Sequence, residues 1–458
     1  MGKSHAQAHI MMVAFPMQGH VIPLLELAQV LATHGIRTTF VNTDMVHDRV
    51  VNSLAGESLV GFVSVPDGLE PHERYVPGKL TEAVYTILPG KVQALIREIN
   101  DGEDRHIKVS CLVYDQSIGS LHQVARDTGI RSVAFLPAAA ALLVLGLHIP
   151  QLLRDGIIDD QVAGNPLDSS PLQLAPTMPI VNPTHFVWHT VRNTTLQKLI
   201  LDVMRQNNHS INSADWVICN SARDLEPGAS TLAPQITFVG PLLASNRLAD
   251  SAGQFYQHDK DSLEWLDQQP PSSVIYVSFG SYAILGPAQF QKLALGLELT
   301  NRPFLWVVRP DAMPEVGKPE FPNGFLERTK SQGRIVGWAN QQKVLSHPSV
   351  ACFVSHCGWN STLESVSNGV PMLCWPCYAD QFINQSYICD IWRVGLQLGR
   401  DNGVIFPFDE IKEKIDRVVG DEELKGRALQ LKEVMGHGAR EGGTSYQNLK
   451  NFITWLHE

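Results

Sequence analysis

The chain has little charge and no surplus of positive charge. Asp, Glu, Lys and Arg make up 18% of its 458 residues, and 46 acidic against 36 basic residues give a formal net charge of −10. A surface of that sign repels phosphate backbones and anionic lipid, so nucleic acid and anionic membranes are not expected as main partners. Long apolar runs are missing too. The longest, Ala134–Leu147, is shorter than a bilayer span and contains Pro137, so no integral membrane association is expected. No targeting segment is expected either. Ile10–Phe15 is too short for the core of a signal peptide, and Ala6 stands where a myristoylation site needs Ser or Thr. The expectation is therefore a cytoplasmic protein, and a monomer. Cysteine is scarce and odd in number, seven in all, which points to reduced thiols rather than a disulfide framework.

Two cysteine patterns need weighing. Cys374-Trp375-Pro376-Cys377 has the spacing of a redox pair, and Cys352, His356, Cys357, Cys374 and Cys377 include the donor types of a zinc site. Core and loop thiols are the preferred reading, because Cys352 lies inside an expected strand. No metal is expected. Asp259-Lys260-Asp261 resembles an acidic metal motif, but it sits in a polar stretch with no strand before it, and chance explains it better.

A 458-residue chain with 44% hydrophobic residues fits two soluble globular domains of about 200 residues each. The first half opens with a strand–helix–strand pattern. Ile10–Pro16 and Ile36–Asn42 read as strands, and between them Leu24, Leu27, Ala28 and Leu31 recur at helical spacing until Gly35. The turn after the first strand ends in Gly19-His20, which puts His20 at the carboxyl end of that strand. Cys111–Asp115 is a later strand that ends in an acid. In an open α/β sheet, ligands bind at that edge, and a His and an Asp at two strand ends can meet. Taken alone, His20 is equally a capping or core histidine. Further on, Phe186 and Trp188 form an aromatic pair in an irregular, Pro-rich region, either facing a small-molecule cleft or acting as a packing lid. Ala244–Asp261 is polar and aperiodic, a linker. The alternation then restarts with the strand Val274–Phe279, the turn Gly280-Ser281, the helix Pro287–Leu299 and the strand Pro303–Val308. Ser281 stands at the carboxyl end of its strand.

The densest stretch runs from Trp338 to Gln381. Val350–Ser355 is an apolar run typical of a strand buried on both faces, followed by His356-Cys357-Gly358-Trp359-Asn360-Ser361 and an expected helix Ser361–Asn368 closed by Gly369. A helix starting there points backbone N–H groups and its positive dipole end over the sheet, a position suited to phosphate. His356 adds a donor. Glu364, one turn into the helix, suits the two hydroxyls of a ribose. Trp338 offers a flat face to a base, and Asp380 and Gln381 can hydrogen-bond a hexose.

This stretch resembles the sugar-nucleotide box of plant family-1 UDP-dependent glycosyltransferases. The resemblance rests on the opening Trp338, the core His356–Ser361, then Glu364 and the closing Asp380-Gln381 at the family's spacing. FPMQGHVIP around His20 and VYD ending at Asp115 resemble the family's catalytic phrases. One departure is Asn340, where the family usually has Pro; little effect is expected. The resemblance implies an α/β chain of the GT-B class, two facing Rossmann-like doubly wound parallel-sheet domains with a cleft between them. It implies an acceptor-binding domain over 1–243, a linker over 244–261, a UDP-sugar-binding domain over 262–435, and a tail over 436–458 returning to the first domain. It implies His20 as base with Asp115 as its partner. UDP would be bound by Ser281, Trp338, Ala339, Gln341, His356, Asn360, Ser361 and Glu364, and the sugar by Trp359, Asp380 and Gln381. The acceptor pocket would involve Phe15, Gln18, Leu136, Phe186 and Trp188. The implied reaction is inverting transfer of glucose from UDP-glucose to a hydroxyl of a small lipophilic acceptor, without metal or other cofactor. A UDP-sugar epimerase, a silent UDP-sugar-binding protein and a zinc or thiol-redox protein stay open as alternatives. Each is decided by assay without acceptor, by the presence of His20 and Asp115, or by metal analysis.

Overall fold

The computed structural model describes residues 8–54, 58–104, 107–160, 163–191, 193–243, 253–309, 320–399 and 405–458. The chain divides into two compact units. The first comprises Met1–Met178, Asn182–Phe255 and Gly438–Glu458, and the second Pro179–Val181 and Tyr256–His437. Of the expected linker, residues 244–252 lie outside the described residues.

The first unit is built on a seven-stranded parallel sheet. Its strands are β1 (His9–Val13), β2 (Arg37–Thr43), β3 (Gly61–Val65), β4 (Cys111–Asp115), β5 (Arg131–Leu136), β8 (Trp216–Cys219) and β9 (Ile236–Phe238), in the order β3-β2-β1-β4-β5-β8-β9. The short β6 (Ile158–Asp159) and β7 (Asn165–Pro166) pair separately. Every residue of β1 and β4 is buried, as expected of apolar runs covered by helices on both faces. The helix Gln18–Thr33 buries Leu24, Leu27, Ala28 and Leu31 against the sheet, each leucine contributing about 1.5–3 kcal/mol. It ends before Gly35, whose φ of 77° a side chain would resist. It starts at Gln18, earlier than the sequence spacing implies, so His20 lies within its first turn. The tail helix Thr444–His457 packs on this sheet. Phe452 and Trp455 pack against Trp216, and Arg131 donates to the carbonyls of Trp455 (2.7 Å) and Leu456 (3.1 Å).

The second unit repeats the design with six parallel strands. These are β10 (Val274–Ser278), β11 (Phe304–Val307), β12 (Gly333–Val336), β13 (Val350–Ser355), β14 (Met372–Cys374) and β15 (Gly395–Gln397), in the order β12-β11-β10-β13-β14-β15. Phe290, Trp306, Phe321 and Phe325 form an aromatic cluster under one face. The helix after β13 runs Trp359–Asn368, two residues longer at its start than expected, and Gly369 closes it at φ 70°. In each unit the winding reverses beside the first strand, between β1 and β4 and between β10 and β13. Ligands of open α/β sheets bind at the carboxyl ends of strands flanking such a reversal.

Candidate active site

In the first unit the reversal point carries a His–Asp pair. Nδ1 of His20 lies 2.7 Å from Oδ2 of Asp115. Asp115 has no solvent exposure, whereas the His20 side chain is 29% exposed, so the carboxylate sits behind and the ring reaches the surface. The carboxylate is held by further donors: the Ser117 amide reaches Oδ1 at 2.8 Å and the Phe15 amide reaches Oδ2 at 3.4 Å. A carboxylate surrounded by donors accepts from Nδ1–H and thereby leaves Nε2 as the basic nitrogen. The Phe15 ring packs at 5.3 Å from the His20 ring. Behind the pair, the Tyr85 hydroxyl donates to the Ser117 carbonyl and to Asn207, and Asn207 accepts from the Gly119 amide, fixing the turn after β4.

The other residues expected to line an acceptor pocket make the following contacts within the chain. Gln18 accepts from the Phe255 amide at 3.0 Å and donates to Gln254 at 3.3 Å, tying the helix to a later segment. Leu136 is buried at the end of β5. Phe186 and Trp188 have no exposure, their rings pack 4.9 Å apart, and the Trp188 indole donates to the Gly164 carbonyl. Both rings are packed within the first unit.

The second unit gathers the box residues at its own reversal point. His356 follows β13, and Gly280-Ser281 follows β10. The imidazole is held between two glycines. A Cβ on Gly280 would lie 2.6 Å, and one on Gly358 2.5 Å, from Nε2 of His356. Burial, and secondly the charge of Arg309, lowers the His356 pKa to about 4, so the ring is neutral near pH 7. A hydrogen bond with the Ser278 backbone offsets only part of that lowering. The helix Trp359–Asn368 begins beside it with no acidic residue in its first turn and no side-chain cap, the arrangement that suits a bound anion. Cys357 (φ 65°) and Ala379 (φ 57°) hold left-handed backbone without being glycines, a strain that concentrates at functional turns.

Gln341 ties this region together. Its amide nitrogen donates to Ser361 Oγ at 2.8 Å and to Glu364 Oε2 at 2.6 Å, and its carbonyl accepts from the Tyr276 hydroxyl at 3.1 Å. Gln341, expected as a nucleotide contact, thus also orients Glu364. Trp338 is 8% exposed and has the Tyr256 ring 4.8 Å from its own; Ala339 beside it is buried. Asn340 caps the helix Gln341–Leu345, its side chain accepting from the Lys343 amide, so the departure from Pro exchanges one helix-starting residue for another. Trp359 is buried, with the Trp392 ring 6.3 Å from its own. Asn360 is the second residue of that helix and is half-buried.

At the closing end, Asn384 donates to Asp380 at 2.8 Å and to the Cys357 carbonyl at 2.9 Å, joining the two loops of the box. Oε1 of Gln381 accepts from the amides of Cys377 (2.7 Å) and Tyr378 (3.1 Å). Because both partners are donors, the amide orientation is fixed and Gln381 has only its N–H groups left to offer. The seven cysteines are free thiols. Cys374 has Cys357 and, at 3.7 Å, Cys389 as thiol neighbours, not Cys377. Among the described residues no group of three or more His, Cys, Asp or Glu is arranged to hold a metal. Asp259 pairs with Arg334 at 2.9 Å. Also among the described residues, no helix is long and apolar enough to cross a membrane.

Comparison with known proteins bears on this arrangement. The family described as UDP-glucoronosyl and UDP-glucosyl transferase matches residues 50–434. UDP-glycosyltransferase 83A1 of Arabidopsis thaliana is 44% identical over 99% of this chain and 98% of its own length. The chain belongs to the plant family-1 UDP-glycosyltransferases. Among solved structures, this glycosyltransferase resembles a UDP-glucosyltransferase from Polygonum tinctorium capable of glucosylating indoxyl, with a TM-score of 0.83 at 27% identity over 100% of both chains. It also resembles Medicago truncatula UGT71G1 complexed with UDP-glucose, with a TM-score of 0.82 at 26% identity over 100% of both chains. The fold class is thus GT-B, each unit a Rossmann-like parallel sheet, and the activity is UDP-sugar-dependent glycosylation of small molecules.

Proposed function

We propose that the sugar is glucose, that the acceptor is a hydroxyl on a small lipophilic molecule such as a phenol or terpenoid, and that transfer inverts the anomeric carbon. The observation that carries this reading is the 2.7 Å contact between His20 and a wholly buried Asp115. A protein that only bound UDP-sugars would have no need of a base held in one tautomer.

In the proposed reaction, the acceptor hydroxyl gives its proton to Nε2 of His20 as its oxygen bonds to the anomeric carbon. Asp115 stabilises the imidazolium that forms. The bond from that carbon to the diphosphate breaks, and UDP leaves with the electron pair. Neutral donors suit the leaving diphosphate: His356, Ser281 and the first turn of the helix Trp359–Asn368. Glu364, oriented by Gln341, accepts the ribose hydroxyls, and Trp338 meets the base. Gln381 donates to the glucose. The scheme uses no metal. Support for glucose comes from the similar UGT71G1, whose structure holds UDP-glucose, and from the similar glucosyltransferase of Polygonum tinctorium.

The test is a mass-spectrometric screen of phenolic and terpenoid acceptors with UDP-glucose, run with and without chelator. The expected result is a glucoside whose formation depends on acceptor and is indifferent to chelator. Sugar interconversion without acceptor would instead identify an epimerase.

A further inference from the structure

Arg309 stands two residues beyond the end of β11 at the carboxyl edge of the second sheet. In the parallel ladder Val277 of β10 lies beside Trp306 of β11, so Arg309 and the Gly280-Ser281 turn emerge on the same edge. Its side chain is 7% exposed, a buried guanidinium. One terminal nitrogen donates to the Ser281 carbonyl and the other to the Ala283 carbonyl at 2.9 Å. Among the described residues no carboxylate pairs with it. A buried cation with only neutral acceptors is costly, and proteins retain such an arrangement where an anion completes it. The positive charge is felt on both flanks of the box, at His356 and at Tyr378. His356 is itself neutral near pH 7, so it contributes a dipole and no charge. Glu364, within the same box, contributes a negative one.

We propose that Arg309 is a further functional residue of this site, holding the Ser281–Ala283 turn in position and supplying the buried positive charge that a nucleoside diphosphate meets. The inference rests on the UDP-sugar reading of the box and adds the charge that reading lacks. As the bond to the sugar breaks, the diphosphate gains negative charge, and a fixed cation favours that state over the bound ground state. The planar fork of an arginine spans two carbonyls; a lysine supplies a positive charge without that fork.

The experiment compares UDP with uridine, which lacks the phosphates, by calorimetry on the full chain and on Arg309→Gln and Arg309→Lys. In Arg309→Gln the ratio of UDP to uridine affinity is expected to fall about tenfold or more, because a charge-assisted contact is lost while the nucleoside contacts remain. In Arg309→Lys the ratio is expected to stay within about threefold of wild type. A merely structural role would weaken UDP and uridine alike and leave the ratio unchanged, and that result overturns the inference. So does a ratio that falls as far in Arg309→Lys as in Arg309→Gln. If Arg309→Gln does not fold, Arg309→Met, which also lacks the charge, decides: a fall of about tenfold in the ratio supports the inference and an unchanged ratio overturns it. Wild-type protein that binds neither ligand would overturn the UDP-sugar reading of the box together with this inference, whereas wild-type binding with an unchanged ratio in the Gln variant removes only the role of Arg309.

Discussion

The two units share a winding and differ in the chemistry at its reversal point. Beside β1 and β4 stand an imidazole and a buried carboxylate in contact, with the ring partly open to solvent. Beside β10 and β13 stands an imidazole squeezed between two glycines and kept uncharged, with backbone amides, a hydroxyl and an oriented carboxylate around it. The same residue type therefore serves opposite ends. In the proposed mechanism a carboxylate partner prepares His20 to take up a proton, while burial and a neighbouring cation keep His356 uncharged. A parallel sheet places strand ends together; what surrounds them decides whether the site moves a proton or binds a ligand.

The sharpest way to break this comparison is to disable the pair in the first unit. Three donors converge on Asp115: His20, Phe15 and Ser117. An Asn there must turn its NH2 toward one of them. Facing His20, it forces the other tautomer and protonates Nε2, so Asp115→Asn is expected to lose about 10²–10⁴ in kcat, and His20→Ala at least about 10². UDP affinity by calorimetry should be unchanged in both. The acceptor must be an ordinary alcohol, since an acidic phenol ionises unaided; wild-type turnover with an alcohol would end the base assignment.

How far the sequence alone could carry this comparison depends on the link. Asp115 was readable because it closes an apolar run and His20 because it follows one across a short turn, and runs buried on both faces announce parallel strands. The strand order was not readable: only the fold reveals that β1 and β4 are neighbours, with β2 and β3 on the far side. The roles of Gln341 and Asn384 escaped for the same reason, since Tyr276 and Cys357 are distant in sequence. Arg309 did leave a signal, an arginine directly after Phe304-Leu305-Trp306-Val307-Val308, where a strand end exposes it to a ligand edge. Glu226 left only an indirect one. The helix Ala140–Arg154 starts in a run of alanines with no capping residue, and Glu226 caps it from afar, accepting from Ala140 and Ala141 at 2.9 Å each. An uncapped start asks for a distant acceptor without saying which. Phe186 and Trp188 were ambiguous because an aromatic pair in a loop has the same pattern whether it faces a ligand or fills a core.

The second unit should answer in affinity where the first answers in rate. Glu364→Ala is expected to weaken UDP and UDP-glucose equally, because the ribose is common to both. Each lost hydrogen bond to the carboxylate contributes about 1.5–3 kcal/mol, or roughly tenfold to a hundredfold. Gln341→Ala should follow in the same direction with a smaller loss, since it removes the orientation and keeps the carboxylate. Unchanged calorimetric UDP affinity in Glu364→Ala would contradict the ribose contact.

A smaller effect tests the neutrality of His356 through stability. Its pKa is lowered from the ordinary 6.5 to about 4 in the folded chain. Between those values the unfolded chain binds a proton that the folded chain does not, so stability falls as pH falls through that window and is unaffected above it. By pH 5 the cost is on the order of 1–2 kcal/mol. Thermal unfolding from pH 7 to pH 5 should therefore show a steeper loss in wild type than in His356→Asn, which has nothing to titrate. Parallel curves would mean that His356 titrates normally and that the contrast with His20 is wrong.

The smallest effect concerns which sugar the box accepts. Glucose and galactose differ in the orientation of one hydroxyl, and hydrogen bonds aimed at one orientation separate them because the wrong epimer leaves a buried polar group unpaired. Gln381 has two tasks that a substitution can divide. Its carbonyl secures the turn through Cys377 and Tyr378, and its NH2 is what remains for a sugar. Gln381→Glu keeps two acceptor oxygens for those amides and removes the donors. It should unfold at the wild-type temperature yet lose about tenfold in kcat/KM with UDP-glucose. Gln381→His loses the turn bonds as well, so its ratio of glucose to galactose should move only partly toward galactose, at reduced overall rate. Initial rates with both donors at equal concentration against one accepted phenol measure this. If Gln381→Glu retained full activity, the residue would be a brace for the turn alone, and donor choice would have to be sought at Asp380, whose carboxylate already holds Asn384. Equal wild-type rates with the two donors would remove the premise for either residue.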